Sequence, residues 1–124
     1  MRQRLRQIQI QWQQHSIDIS DILVGERAAL ILSSQLLNLV DSQAARLFLA
    51  SQVFDEARHV EFFTRYQQEL PLNNYPPGTA LTRLLRKAIA EQDINHKILV
   101  CQLIIESLAM ARFRLLKKEC RIPL

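Results

Sequence analysis

Glycine is almost missing from this chain, with two in 124 residues, and there are only four prolines. So few turn formers exclude a sheet with many tight turns, while abundant Leu, Ile, Ala, Gln and Arg predict an all-α protein. Cysteine is as scarce. Cys101 and Cys120 lie in helical sequence without metal-ligand spacing and without a signal peptide before them, which argues against a disulfide framework and for a cytoplasmic location. No apolar run approaches the roughly 20 residues needed to span a bilayer. Ser33, Ser34, Gln35 and Asn38 interrupt the best one, so no membrane partner is expected. The formal charge of +4 comes from 16 basic and 12 acidic residues scattered without a basic run, so no nucleic-acid partner is expected either. Residues 1–16 contain no acid and three arginines, but Gln rather than Ser dominates, unlike a transit peptide. The length excludes a multidomain enzyme. The expected division is a lead-in over 1–16 and one helical domain over 17–124.

What is present is helical spacing. "IDISDILVGERAALILSSQLLNLV" carries apolar residues at that spacing through Val40, with Asp18 or Ser20 as the expected cap. A second helix, capped by Asp41, is expected up to Leu70, where Pro71 stops it. "PLNNYPPG", residues 71–78, reads as the one clear loop. A shorter amphipathic segment follows from Thr79 to about Glu91. A long third helix is then capped by Asp93 and carries Lys117 and Lys118 at its carboxyl end.

Each long helix has an apolar stripe, and each stripe is broken by one glutamate. The first presents Ile19, Ile22, Leu23, Ala29, Leu30, Ser33 and Leu37 around Glu26. The second presents Ala45, Leu49, Gln52, Val53, Val60 and Phe63 around Glu56 and His59, and the third presents Leu99, Gln102, Leu103, Ala109, Met110 and Phe113 around Glu106. A buried carboxylate loses several kcal/mol of hydration unless a charge compensates it, and one shared cation would serve all three. Glu26 precedes Val40 by 14 residues and Glu56 follows Ser42 by the same number, so in a hairpin both lie about 21 Å from the turn. Glu106 is mid-helix, and Glu56 and His59, three apart, point to one side. His96 reads as a helix-start residue, His15 and Trp12 as part of a lead-in covering one end, and Tyr66 and Tyr75 as ordinary surface or loop residues.

Glu26 on one helix, "DEARH" at 55–59 on the next and Glu106 on a third resemble the ferritin-like di-iron carboxylate superfamily, in its ribonucleotide reductase small-subunit-like branch. The resemblance covers roughly residues 17–119. It implies an incomplete ferritin-like helical bundle, with three of four core helices and a short connecting helix. It implies iron, one or two ions, or manganese: Glu26 and His59 as terminal ligands of a first ion, Glu56 as a bridge and Glu106 as a terminal ligand of a second. Asp55 would orient a histidine of the missing helix, with Arg58 balancing its charge. The fourth helix with its second Glu-x-x-His would begin after residue 119, so the chain reads as the N-terminal part of a longer or split protein. A homodimer or a separate chain would then supply the missing helix. Phe63 replaces the radical-bearing tyrosine and Cys101 the cross-linking tyrosine, so neither chemistry is expected.

The function this implies is oxygen activation for oxidation of a small apolar substrate in the complete protein, with this chain inactive alone. The alternative is a metal-free helical interaction module whose glutamates pair with arginines such as Arg27 or Arg58. Iron storage ranks last, because nothing in the sequence specifies a shell.

Overall fold

The structure is a computed structural model describing residues 1–71 and 75–119. Cys120 and part of the expected loop, residues 72–74, lie outside the described residues. All regular structure described is helical. The elements are α1 (Arg2–Leu39), α2 (Gln43–Glu69), α3 (Thr79–Ala90), α4 (Ile94–Ile98), a π-helical segment (Leu99–Ile105) and α5 (Glu106–Glu119). The last three form one continuous rod.

The lead-in is helix. α1 runs for 38 residues from Arg2, so Asp18 and Ser20 are interior rather than caps. Nothing in the first turns stops a helix: Gln, Arg, Leu and Ile all tolerate one, and the first glycine comes at Gly25. The Ser20 hydroxyl donates back to the Ser16 carbonyl instead. α2 is capped by Ser42, whose hydroxyl accepts from the Ala45 amide, and not by Asp41. It ends at Glu69 as expected, one residue before the C-cap Leu70, with Pro71 behind it. Asp93 does cap its helix, accepting from the His96 amide at 2.9 Å.

Contacts between numbered residues give the directions. Glu26 of α1 meets His59 of α2, while Ser20 and His15, nearer the start of α1, meet Gln67 and Tyr66, nearer the end of α2, so the pair is antiparallel. The partners on the third rod rise likewise, from Lys97 against Gln35 and Cys101 against Ser33 to Arg112 against Asp21. α2 and the third rod therefore run parallel, joined by one long crossover that contains α3. α1 is the hub against which α2, α3, α4, the π-helical segment and α5 all pack.

Two apolar clusters fill the interior. One holds Leu32, Leu36, Leu49, Leu85, Cys101 and Ile105; the other holds Ile19, Ile22 and Leu70 with Trp12, Phe63 and Phe113 against them. The stripe expected on the third helix is buried only in part: Gln102, Ala109 and Phe113 are partly buried, with Phe113 against the second cluster. Leu99, Leu103 and Met110 are about half exposed or more, whereas Lys97, Cys101 and Ile105 are buried. The π-helical segment explains the difference. Residues four apart drift by about 40° per step on an α-helix, but the wider i to i+5 turn holds 97, 101 and 105 on the side facing α1. One window of α1 is long and apolar enough to cross a membrane by length and composition, and 44% of it is buried inside the protein.

Candidate metal centre

Glu26 of α1 and Glu56 and His59 of α2 meet between the two apolar clusters, their ligand atoms all within 4.8 Å of one another. Equal depth along an antiparallel pair brings the two glutamates level, and the three-residue step sets His59 beside Glu56. Imidazole Nδ1 lies 3.1 Å from Glu26 Oε2 and 3.4 Å from Glu56 Oε2. The two glutamate side chains are 7% exposed, but that of His59 is 53% exposed, so the inward position expected for the histidine is only half realised. Its ring reaches in from the rim.

Glu106 stands beside this group rather than within it. Gln52 donates to its carboxylate at 3.1 Å, and Gln102 donates to Gln52 at 2.8 Å. Both glutamines occupy stripe positions, and their polarity was the signal that this layer is hydrogen-bonded across helices. The crowded acids perturb one another. Burial, then a hydrogen bond to Glu26 and its charge, push Glu56 up from 4.5 to about 7, with His59 partly opposing. Burial is also the first cause raising Glu26 and Glu106.

Among the described residues, no arginine or lysine lies within ion-pair distance of these three glutamates. Arg112 instead joins Asp18 at 3.0 Å and Asp21 at 2.6 Å, a link across the bundle that spacing alone does not reveal. Arg58 lies over the Phe54 ring, 5.9 Å from its centroid, and not against Asp55. Asp55 is exposed. Tyr66 is not an ordinary surface residue: its hydroxyl is 2.8 Å from His15 Nε2, and Trp12 meets the same imidazole edge to face. This group packs against the second apolar cluster through Trp12 and Tyr66. His96 is a helix-start residue as expected, in the first turn of α4, and is not part of the group of Glu26, Glu56 and His59.

A cavity of about 340 Å³ opens onto the carboxylates. Glu26, Glu56, His59 and Glu106 line it together with the ion pair of Asp21 and Arg112, while Leu84, Leu108, Met110 and Phe113 are among its apolar walls. That size suits a small molecule. The donor set fits a divalent first-row metal: two buried carboxylates and one imidazole at the rim, with no lysine or arginine among the described residues paired to them. Compared with known proteins, the chain matches no family model, no curated protein and no solved structure.

Proposed function

We propose that this chain is a metal-binding helical domain of a non-haem di-iron, or iron and manganese, carboxylate oxidoreductase with a ferritin-like bundle, working in the cytoplasm. The observation that carries the reading is the convergence of His59, at the rim, on the buried Glu26 and Glu56, which no arginine among the described residues pairs with. The chain path supports it. An antiparallel pair, one long crossover and a third rod parallel to the second helix is the connection pattern of ferritin-like bundles.

Glu26 and Glu56 would hold the ion from the core side and His59 from the rim. Glu106, kept in place by Gln52, is poised for a second ion. Iron bound there would supply oxygen-activating redox chemistry. The chain's own contribution is to exclude water with the two apolar clusters, to keep the carboxylates level, and to admit an apolar substrate along the cavity walls.

Anaerobic calorimetric titration with Fe(II) or Mn(II) tests the assignment. One ion per chain is expected. His59→Ala should abolish binding, while His15→Ala and His96→Ala should leave it unchanged. Equal losses at all three histidines would mean surface coordination and would sink the reading.

A further inference from the structure

α1 outreaches the helices packed against it. His15 and Ser20 of α1 meet Tyr66 and Gln67 close to the end of α2, and α5 ends at Glu119, seven residues beyond the Arg112 that meets Asp21. Both neighbours run out near the level of His15. Every one of residues 1–11 is exposed, so the first turns of α1 stand beyond the described bundle.

That overhang has an apolar line. Met1, Leu5, Ile8 and Trp12 follow one another at steps of four, three and four, on the face that Ile19 and Leu23 continue inside the bundle. Met1, Leu5 and Ile8 are 103%, 59% and 43% exposed, whereas Trp12 packs against the cluster of Ile19, Ile22 and Leu70. The line thus leaves the core uncovered. Because it faces the side on which α2 and the rod stand, a flat surface such as a bilayer meets their ends before it reaches the line. A single helix laid alongside does reach it.

The pattern itself specifies a second copy as that helix. Steps of four, three and four read the same in either direction, so an antiparallel copy sets Met1 against Trp12 and Leu5 against Ile8, twice over. Arg4 and Gln11 flank one edge of the line, Arg2 and Gln9 the other, and a two-fold axis brings like edges together. In this register Arg4 lies about 3 Å along the axis from Gln11 of the other copy, and Arg2 about 3 Å from Gln9. Each of these arginines is offered a neutral acceptor. A parallel pair would instead set Arg2, Arg4 and Arg6 against their own copies, with no acid before Asp18 to separate them. The start of α1 also has no side-chain cap and no acid in its first turn, and its arginines crowd the positive end of the helix dipole. A partner helix stabilises what is otherwise prone to fray.

We infer that two copies of this chain associate by antiparallel overlap of residues 1–12 of α1, with Met1, Leu5, Ile8 and Trp12 as the contact line and Arg4 paired with Gln11 of the other copy. At about 100 Å² for each of these apolar side chains, the overlap covers about 800 Å² over both copies, which belongs to weak, reversible association. Glu26, Glu56 and His59 take no part, so the pairing is independent of the metal-binding reading.

Sedimentation equilibrium of the full chain in chelator and reductant, from about 10 μM to about 1 mM, tests it, with amide hydrogen exchange at both ends of that range. The expected result is a reversible dimer, strengthened by added salt because like charges approach, with residues 5–11 better protected at the higher concentration. Leu5→Gln and, separately, Ile8→Gln should weaken the dimer about tenfold or more. Ile10→Gln should leave it unchanged, although Ile10 is 64% exposed, because it lies on the far side of the helix. Gln11→Glu should tighten the dimer about threefold relative to Gln3→Glu, which makes the same charge change away from the contact, and adding Arg4→Gln should remove that gain. A wild type that stays monomeric at about 1 mM without added protection overturns the inference, as does a dimer that forms only with Mn(II). Equal losses at Ile10 and Ile8 overturn the contact line. Weakening by Gln11→Glu overturns the antiparallel register, since a parallel pair sets the new carboxylate against its own copy.

Discussion

Replacing Glu56 by glutamine keeps the shape of the side chain and removes its charge, so it measures what the buried carboxylate layer does to stability. Burial and Glu26 hold Glu56 at about 7 against an ordinary 4.5. A folded value above the unfolded one means that the fold prefers the protonated form. Its stabilising contribution is complete below 4.5 and is lost as the pH rises through about 7. The full span, from 4.5 to about 7, corresponds to about 3 kcal/mol. Sharing between two carboxylates and residual water reduce the expected effect to about 2 kcal/mol. In chelator at pH 8, Glu56→Gln should therefore be more stable than the wild type by about 2 kcal/mol, or roughly 8 °C in melting temperature, and the difference should vanish at pH 4.5. Taking the difference between the two proteins is essential, because His15, lowered chiefly by burial, responds in the opposite sense. Its contribution is lost as the pH falls through its folded value. Urea or thermal unfolding at both pH values reads the effect. Saturating Mn(II) should reverse the order at pH 8, since only the wild type keeps its ligands and binding stabilises the folded state. A variant less stable than the wild type at pH 8 in chelator would refute the reasoning, because it would mean that Glu56 is ionised and compensated.

Asp55→Asn should change the unfolding free energy of the metal-free chain by less than about 0.5 kcal/mol, because the side chain is exposed; a larger loss in urea unfolding would reveal a local partner. Arg112→Met leaves Asp18, 11% exposed at its side chain, without its cation and should cost about 1–3 kcal/mol in the same assay. Gly25→Ala should add about 1 kcal/mol, because a Cβ there meets no atom within 4 Å; since Gly25 lines the cavity, entry of a small apolar probe reports any narrowing. In a Cys120→Ser background, Cys101 should resist a thiol reagent at pH 8 until the chain is unfolded, since burial pushes the thiol up to about 11.

Where a residue's position follows from spacing along its own helix, the sequence already reveals it. Glu26, Glu56 and His59 were found by period and depth, and Pro71 and Asp93 mark real helix boundaries. Three things depend on more than local spacing. Asp18 and Ser20 resemble caps, but capping residues begin helices only where the preceding backbone leaves the helix, and the preceding Gln-rich turns do not. Leu99, Leu103 and Met110 were placed inside by assuming 3.6 residues per turn, which the π-helical segment does not keep. The links from Arg112 to Asp21 and from His15 to Tyr66 join residues 91 and 51 positions apart, beyond the reach of any local pattern.

The crossover has a consequence for the order of assembly during synthesis. All three donors are in place once residue 59 has been made, in two neighbouring helices whose contacts are local and quick to form. The third rod is completed only after α3 has been laid back along α1. At about 5–20 residues per second, the hairpin of α1 and α2 precedes the rest by several seconds. In that interval the face of α1 that will later receive Leu85, Cys101 and Ile105 is uncovered. An ion captured at that stage would fasten two helices on the ribosome before the polypeptide that shelters them exists.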